Sequence, residues 1–264
     1  MEFNEILPKV LYKYRDWSDK YQKRLLTDGE IYFASADQFN DPFDCSIPFK
    51  YNPDELTEEN LFLKYISLGK IMHPNMDETE LHNFAYQAHQ RGLIHDPEHN
   101  KKVNEHFFKK FSNEWGILSL TSKSNNFLMW SHYASSHSGF CIGINSELLY
   151  DTVGSATFGP IMYDTNFPQF SLFDDNNENF IKQTFSKSDI WEYEDEYRVL
   201  KNGFSRKVVS LQSNVIEEII FGYKMDQKLK FELLKLIEKQ YPEARIYETQ
   251  LHNSEFELIK SQIR

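Results

Sequence analysis

At 264 residues, 40% of them apolar and 26% charged, with 10 Gly and 9 Pro, the chain is too apolar and too poor in turn formers to be disordered or fibrous. Its net charge of −11 argues against a broad electrostatic grip on nucleic acid, but allows a local basic patch or a basic protein partner. Neither of its two cysteines, Cys45 and Cys141, has metal-ligand spacing, so no metal is expected and a reducing compartment is. Along the chain, Met1 to Glu5 is acidic and starts no long apolar run, and no stretch reaches the length of a membrane span. These features predict a soluble cytoplasmic protein without membrane contact.

Val10–Arg15 reads as a strand, followed by a helix that stops at Thr27-Asp28-Gly29. Glu30–Ser35 reads as a second strand and Asp37–Asp44 as a polar turn with aromatic inserts. From about 54 to 114 the pattern is helical, capped near Asp54 or Thr57 and divided by Pro74, Gly92 and Pro97 into three helices. The six histidines of that region, His73 to His106, do not repeat as ligand pairs and read as surface or packing groups. Gly116–Thr121 and Gly139–Ile144 are buried strands, with a short helix at 125–134 between them. Thr157–Tyr163 reads as a strand and Asp174–Lys187 as helical. Val215–Tyr223, the amphipathic helix Asp226–Gln240, and the strands Arg245–Thr249 and Phe256–Ile259 complete the order. The expected architecture is one α+β domain spanning 1–264, with a helical insert at about 54–114.

Trp191-Glu192-Tyr193-Glu194-Asp195-Glu196-Tyr197-Arg198-Val199-Leu200 is the densest charged segment with strand-forming residues. As a strand it directs Glu194, Glu196 and Arg198 to one face and Asp195, Tyr197 and Val199 to the other. Two carboxylates and a guanidinium on one face suit either a solvated edge or a site. The run Met129-Trp130-Ser131-His132-Tyr133 is the other polar concentration. A serine hydrolase finds little support, because Ser131 and His132 diverge on a helix and no Gly-x-Ser-x-Gly elbow occurs. A metal-dependent nuclease built on Asp41, Asp44 and His132 stays open, with nothing to fix its geometry.

Taken together, Leu11-Tyr12-Lys13-Tyr14-Arg15, Ile31-Tyr32-Phe33-Ala34-Ser35 followed by Asn40-Asp41-Pro42-Phe43-Asp44, Met129 to Tyr133 with Gly139 to Gly143, and Trp191-x-x-Glu194-x-Glu196-Tyr197-Arg198 resemble the bacterial domain-of-unknown-function 2971 family over about residues 10 to 222. The chain also resembles the NAD-using ADP-ribosyltransferases. These carry, in order, an arginine on the first strand, a serine-rich strand and a Glu-x-Glu or Gln-x-Glu pair. Arg15, Ser119-Leu120-Thr121-Ser122 and Glu194-Asp195-Glu196 fall in that order here. The serine motif departs from the usual Ser-Thr-Ser, and Trp130 to Tyr133 has no counterpart.

The second resemblance implies a split mixed or antiparallel sheet around an NAD cleft. It implies Glu196 as the catalytic carboxylate and Glu194 as the group that orients or deprotonates the acceptor. Arg15 and Tyr14 would hold NAD, Ser119 and Thr121 would steady the site, and Tyr32, Phe39 or Tyr133 would stack on nicotinamide, with Asn40 nearby. Trp130, His132 and Asp41 would form the acceptor pocket. The implied setting is a bacterial toxin or phage-defence effector with NAD as substrate, an RNA, DNA or protein acceptor, and a partner antitoxin if it is a toxin. A non-catalytic sensor of a nucleotide or phage component is the alternative. Arg198 is the residue expected to be structural, pairing with one of the glutamates.

Overall fold

The computed structural model describes residues 7–264 and divides them into two compact units. One comprises residues up to Gln38 together with Ser112–Ile161 and Ile190–Arg264; the other comprises Phe39–Phe111 and Met162–Asp189.

The first unit is built on an eight-stranded mixed sheet. Its strands are β1 (Val10–Arg15), β3 (Trp115–Thr121), β4 (Phe140–Asn145), β5 (Thr157–Pro160), β8 (Glu196–Asn202), β10 (Ile216–Phe221), β11 (Arg245–Leu251) and β12 (Leu258–Gln262). They are ordered β12-β11-β10-β4-β1-β3-β8-β5, and every neighbouring pair is antiparallel except β10–β11. The strands form where β-branched and aromatic residues cluster between turn formers. β1 and β4 pair along their whole length, whereas β1 and β3 share a single register pair, Tyr12 with Thr121. The sheet is therefore split beside β1. A separate ribbon pairs β2 (Glu30–Phe33) with β9 (Lys207–Ser210).

Alternation sorts the side chains onto two faces. One carries Leu11, Leu118, Leu120, Phe140, Ile142 and Val199, packed with Leu233 and Ile237 of the helix Gln227–Gln240 in the main core. Each fully buried aliphatic side chain contributes about 1.5–3 kcal/mol. The other face carries Tyr12, Tyr14 and Cys141, covered by Met129 and Trp130 of the helix Phe127–Tyr133. A glycine is required at 139 and at 222, where any Cβ would run into the carbonyl of Arg15 or of His137.

The second unit holds the helices Glu58–Met72 and Glu78–Arg91 and most of Pro97–Glu114. Thr57 caps the first, and Asp77 with Glu80 forms a capping box on the second. It also holds β6 (Met162–Asp164) paired in parallel with β7 (Ser186–Ser188), and the helix Asn176–Thr184. The mixed α/β class and the three helices agree with the sequence. Expectation and structure differ at Thr157–Tyr163, which is two strands in different sheets, because Ile161 donates to Glu196 while Met162 donates to Phe185. The helix Ser146–Val153, capped by Asn145, and the strands β7 and β9 were not anticipated. Among the described residues no helix is long and apolar enough to cross a membrane.

Candidate active site

β3 and β8 run antiparallel with Ser119 opposite Arg198 and Thr121 opposite Glu196. All four side chains lie on the face covered by the helix Phe127–Tyr133, the same face as Tyr12 and Tyr14. Arg198 is wholly buried, and its fork grips Glu196: Nε lies 3.0 Å from Oε1 and Nη2 3.1 Å from Oε2. Such a bidentate contact fixes both planes and is the strong form of the pair.

Glu194 is also buried, and the Tyr133 hydroxyl donates to its Oε1 at 2.6 Å. It does not belong to the strand. Residues Asp189–Glu194 form a 3-10 helix, and Asp195 follows with a φ of 45°. That left-handed residue breaks the alternation expected through Glu194, Glu196 and Arg198, which holds only from Glu196 onward. A non-glycine held there is strained. The Ser122 hydroxyl donates to the Asp195 carboxylate, and Lys123 Nζ stands 3.9 Å from it. Asn126 caps the helix Phe127–Tyr133 by accepting from Leu128 and Met129, and its amide donates to the Tyr193 carbonyl at 2.5 Å. The helix and the turn before Glu196 are thereby tied together.

Several of the other implied site residues sit elsewhere. Arg15 pairs with Phe140 and falls on the opposite face from Ser119 and Glu196, because neighbours along a strand point apart. Burial lowers its pKa to about 10. The structure thus separates Arg15 from the carboxylates with which it was expected to converge. Tyr14 shares their face but is core: its ring meets Trp130 edge-on at 5.2 Å, its hydroxyl donates to the Lys123 carbonyl, and burial raises its pKa.

Trp130 is fully buried and donates to the Ser124 carbonyl at 2.9 Å, so it is a packing residue and not the wall of an open acceptor pocket. The Ser119 carbonyl accepts from Lys13 Nζ, and buried Thr121 accepts from the Lys123 amide. His132 is exposed, its ring 6.2 Å from Tyr133 and 6.3 Å from Tyr193. Tyr32 is on the β2–β9 ribbon and donates to Gln38. Phe39, Asn40 and Asp41 belong to the second unit; Asn40 is exposed, whereas Asp41 is buried and accepts from the Phe43 amide.

Sequence reasoning missed a third polar group on this face. Ser131 Oγ lies 2.9 Å from His137 Nε2, not against its neighbour His132. The hydroxyl donates to the Phe127 carbonyl, so Nε2 carries the ring proton and donates to Ser131. Nδ1 is buried without a partner among the described residues. The ring is wedged between Phe127 and Tyr223, and Ser135, Ser136 and His137 all have positive φ, at 49°, 50° and 72°. Only the seryl run before Gly139 hinted at so unusual a turn.

Burial and Lys224 lower the His137 pKa from its ordinary 6.5. The unfolded chain therefore takes up the proton first, and stability present above 6.5 is lost as pH falls through the depressed folded value. Thermal scans at about pH 7 and about pH 5 should show a larger drop in Tm for the native chain than for His137→Gln, and equal drops would refute the assignment.

Residues 129–199 match the family model described as "Protein of unknown function (DUF2971)". No curated protein and no solved structure matches the chain. The match is shorter than the resemblance from 10 to 222, but it runs from the helix of Trp130 and Tyr133 to β8 with Glu196 and Arg198. Over this segment, which contains the buried carboxylate cluster, the chain is similar to the DUF2971 family.

Proposed function

We propose that the chain is an NAD-dependent ADP-ribosyltransferase of the bacterial cytoplasm, a toxin or phage-defence effector that modifies a nucleic-acid or protein acceptor. The observation that carries this reading is the pair of buried carboxylates, Glu194 and Glu196, beside a sheet split between β1 and β3. Breaking the nicotinamide–ribose bond leaves an oxocarbenium-like ribose while nicotinamide departs with the bonding electrons, a state that a nearby carboxylate stabilises. Glu196 serves that role, and Arg198 acts as a positioning residue that fixes its orientation. Glu194, held by Tyr133, takes the proton of the acceptor nitrogen or oxygen as its new bond to the ribose carbon forms. Lys123, half-exposed in the turn after β3, replaces Arg15 as the cation to meet a diphosphate.

The test is incubation of labelled NAD with cell lysate and the native chain, Glu196→Gln or Tyr133→Phe. We expect label in RNA, DNA or a protein band, a loss of about 100-fold or more with Glu196→Gln, and a smaller loss with Tyr133→Phe. Tyr133→Phe leaves the Glu196–Arg198 pair intact and so serves as the folded control. Unchanged NAD with every acceptor class would sink the reading. A second reading, a non-catalytic nucleotide sensor, draws on the engagement of both Glu196 oxygens by Arg198. It predicts NAD binding without turnover, unaltered by Tyr133→Phe.

A further inference from the structure

The eight-stranded sheet has two unlike edges. One is β5, four residues long and ending in Gly159-Pro160, and a short strand with a proline is an edge closed to further pairing. The other is β12, which continues into Ile263 and Arg264 and holds neither glycine nor proline. Its hydrogen bonds to β11 fix which way its backbone points. His252 donates to the Glu257 carbonyl, and Ile263 and Arg264 both donate to the Ile246 carbonyl. With Gln250 opposite Ile259 and Glu248 opposite Ser261, the bonded rungs fall on Glu257, Ile259, Ser261 and Ile263. The N–H and C=O groups of Leu258, Lys260 and Gln262 therefore point away from the sheet, and no strand among the described residues pairs with them. A lysine commonly guards such an edge. Here Lys260 turns back: its Nζ bonds the buried Glu218 carboxylate at 2.8 Å and lies 4.4 Å from the centre of the Tyr247 ring. Ile259, Ile263 and Phe256 stand exposed along the same edge.

We infer that β12 pairs antiparallel with β12 of a second copy of this chain, joining two sheets about a two-fold axis through Lys260. At that register Leu258, Lys260 and Gln262 of each copy exchange backbone bonds with Gln262, Lys260 and Leu258 of the other. Charge selects the arrangement. Glu255-Phe256-Glu257, all exposed, precede the strand, and exposed Ile263-Arg264 follow it. Antiparallel pairing sets the acidic end of one copy against Arg264 of the other and Phe256 against Ile263, whereas parallel pairing sets like charges together. Arg264 already has Glu238 at 3.8 Å on its own chain, an exposed pair that holds it weakly. The two lysines that meet at the axis are each neutralised by their own Glu218.

Light scattering over a dilution series of the full chain tests this. The native chain should be a dimer at about 100 μM and dissociate on dilution, as an interface made of one strand pair does. Gln262→Pro deletes an outward N–H and no rung to β11, so it should weaken dimerisation about tenfold or more at unchanged Tm. Arg264→Glu sets acid against acid and should weaken it as well. Adding Glu257→Lys to Arg264→Glu should restore the dimer, because the reciprocal swap rebuilds the opposite charges across the axis. Should Gln262→Pro unfold the chain, Arg264→Glu and its rescue decide the matter. The inference is overturned if the native chain stays monomeric at about 100 μM, if a folded Gln262→Pro or Arg264→Glu dimerises like the native chain, or if the double swap fails to restore the dimer.

Discussion

Replacing Arg198 with Met should destabilise the protein by about 3–5 kcal/mol. The guanidinium is wholly buried and grips the buried Glu196 carboxylate with Nε and Nη2, so removal takes a charged, two-point partner away from a carboxylate in the interior. A buried carboxylate that loses a charged partner loses more than the two hydrogen bonds alone. For a chain of this size the melting temperature should fall by on the order of 10 °C. Arg198→Lys, which keeps the charge but not the fork, should fall between. The double variant Arg198→Met with Glu196→Gln should regain part of the loss, because both charges of this pair are then removed together. A single variant as stable as the native chain, or a double variant worse than the sum, would show that the pair is not what holds β8 in place. The same cycle bears on function: if Arg198 only positions Glu196, Arg198→Lys should lower turnover of NAD with little change in its binding.

Trp130→Ala should cost about 3–5 kcal/mol in urea or thermal unfolding, as truncation of a fully buried ring does. Its loss opens a cavity against Tyr14, Met129 and Cys141 and removes the donor to the Ser124 carbonyl. Trp130→Phe should lose less, since the ring against Tyr14 is retained. An acceptor-pocket residue would behave otherwise, losing acceptor selectivity at unchanged stability. His132→Ala, at an exposed position on the same helix, should leave stability within about 0.5 kcal/mol and serves as the contrast.

The strands and helices could be read from short-range pattern because that pattern has a local cause. β1 was bounded correctly at Val10 and Arg15, and the helix ending at Gln240 begins where Asp226 accepts from the Leu229 amide. The separation of Arg15 from Tyr14 was legible as well, since adjacent residues of a strand cannot share a face. Grouping them as one ligand site conflicted with that rule. The position of Glu194 was not legible. Its segment has strand composition, and only the left-handed Asp195, stabilised by Ser122 just past the end of β3, turns it into a 3-10 helix. Trp130 and His132 looked equivalent in sequence, yet one is buried and the other exposed, because Trp130 packs under Tyr14 from a strand more than a hundred residues away in the chain.

By itself, then, the sequence determined the alternation that puts Glu196 with Arg198, the α+β class, and the turns where glycine is needed, because these follow from backbone geometry and neighbours within a few residues. The tertiary structure decided the rest. Tyr133 meets Glu194 across 61 residues, Ser131 finds His137 through three consecutive left-handed residues, and burial closes the Arg198 fork on Glu196. Each of these depends on which strands pair and which helix covers them, so their cost and their partners are set by long-range packing that no local pattern encodes.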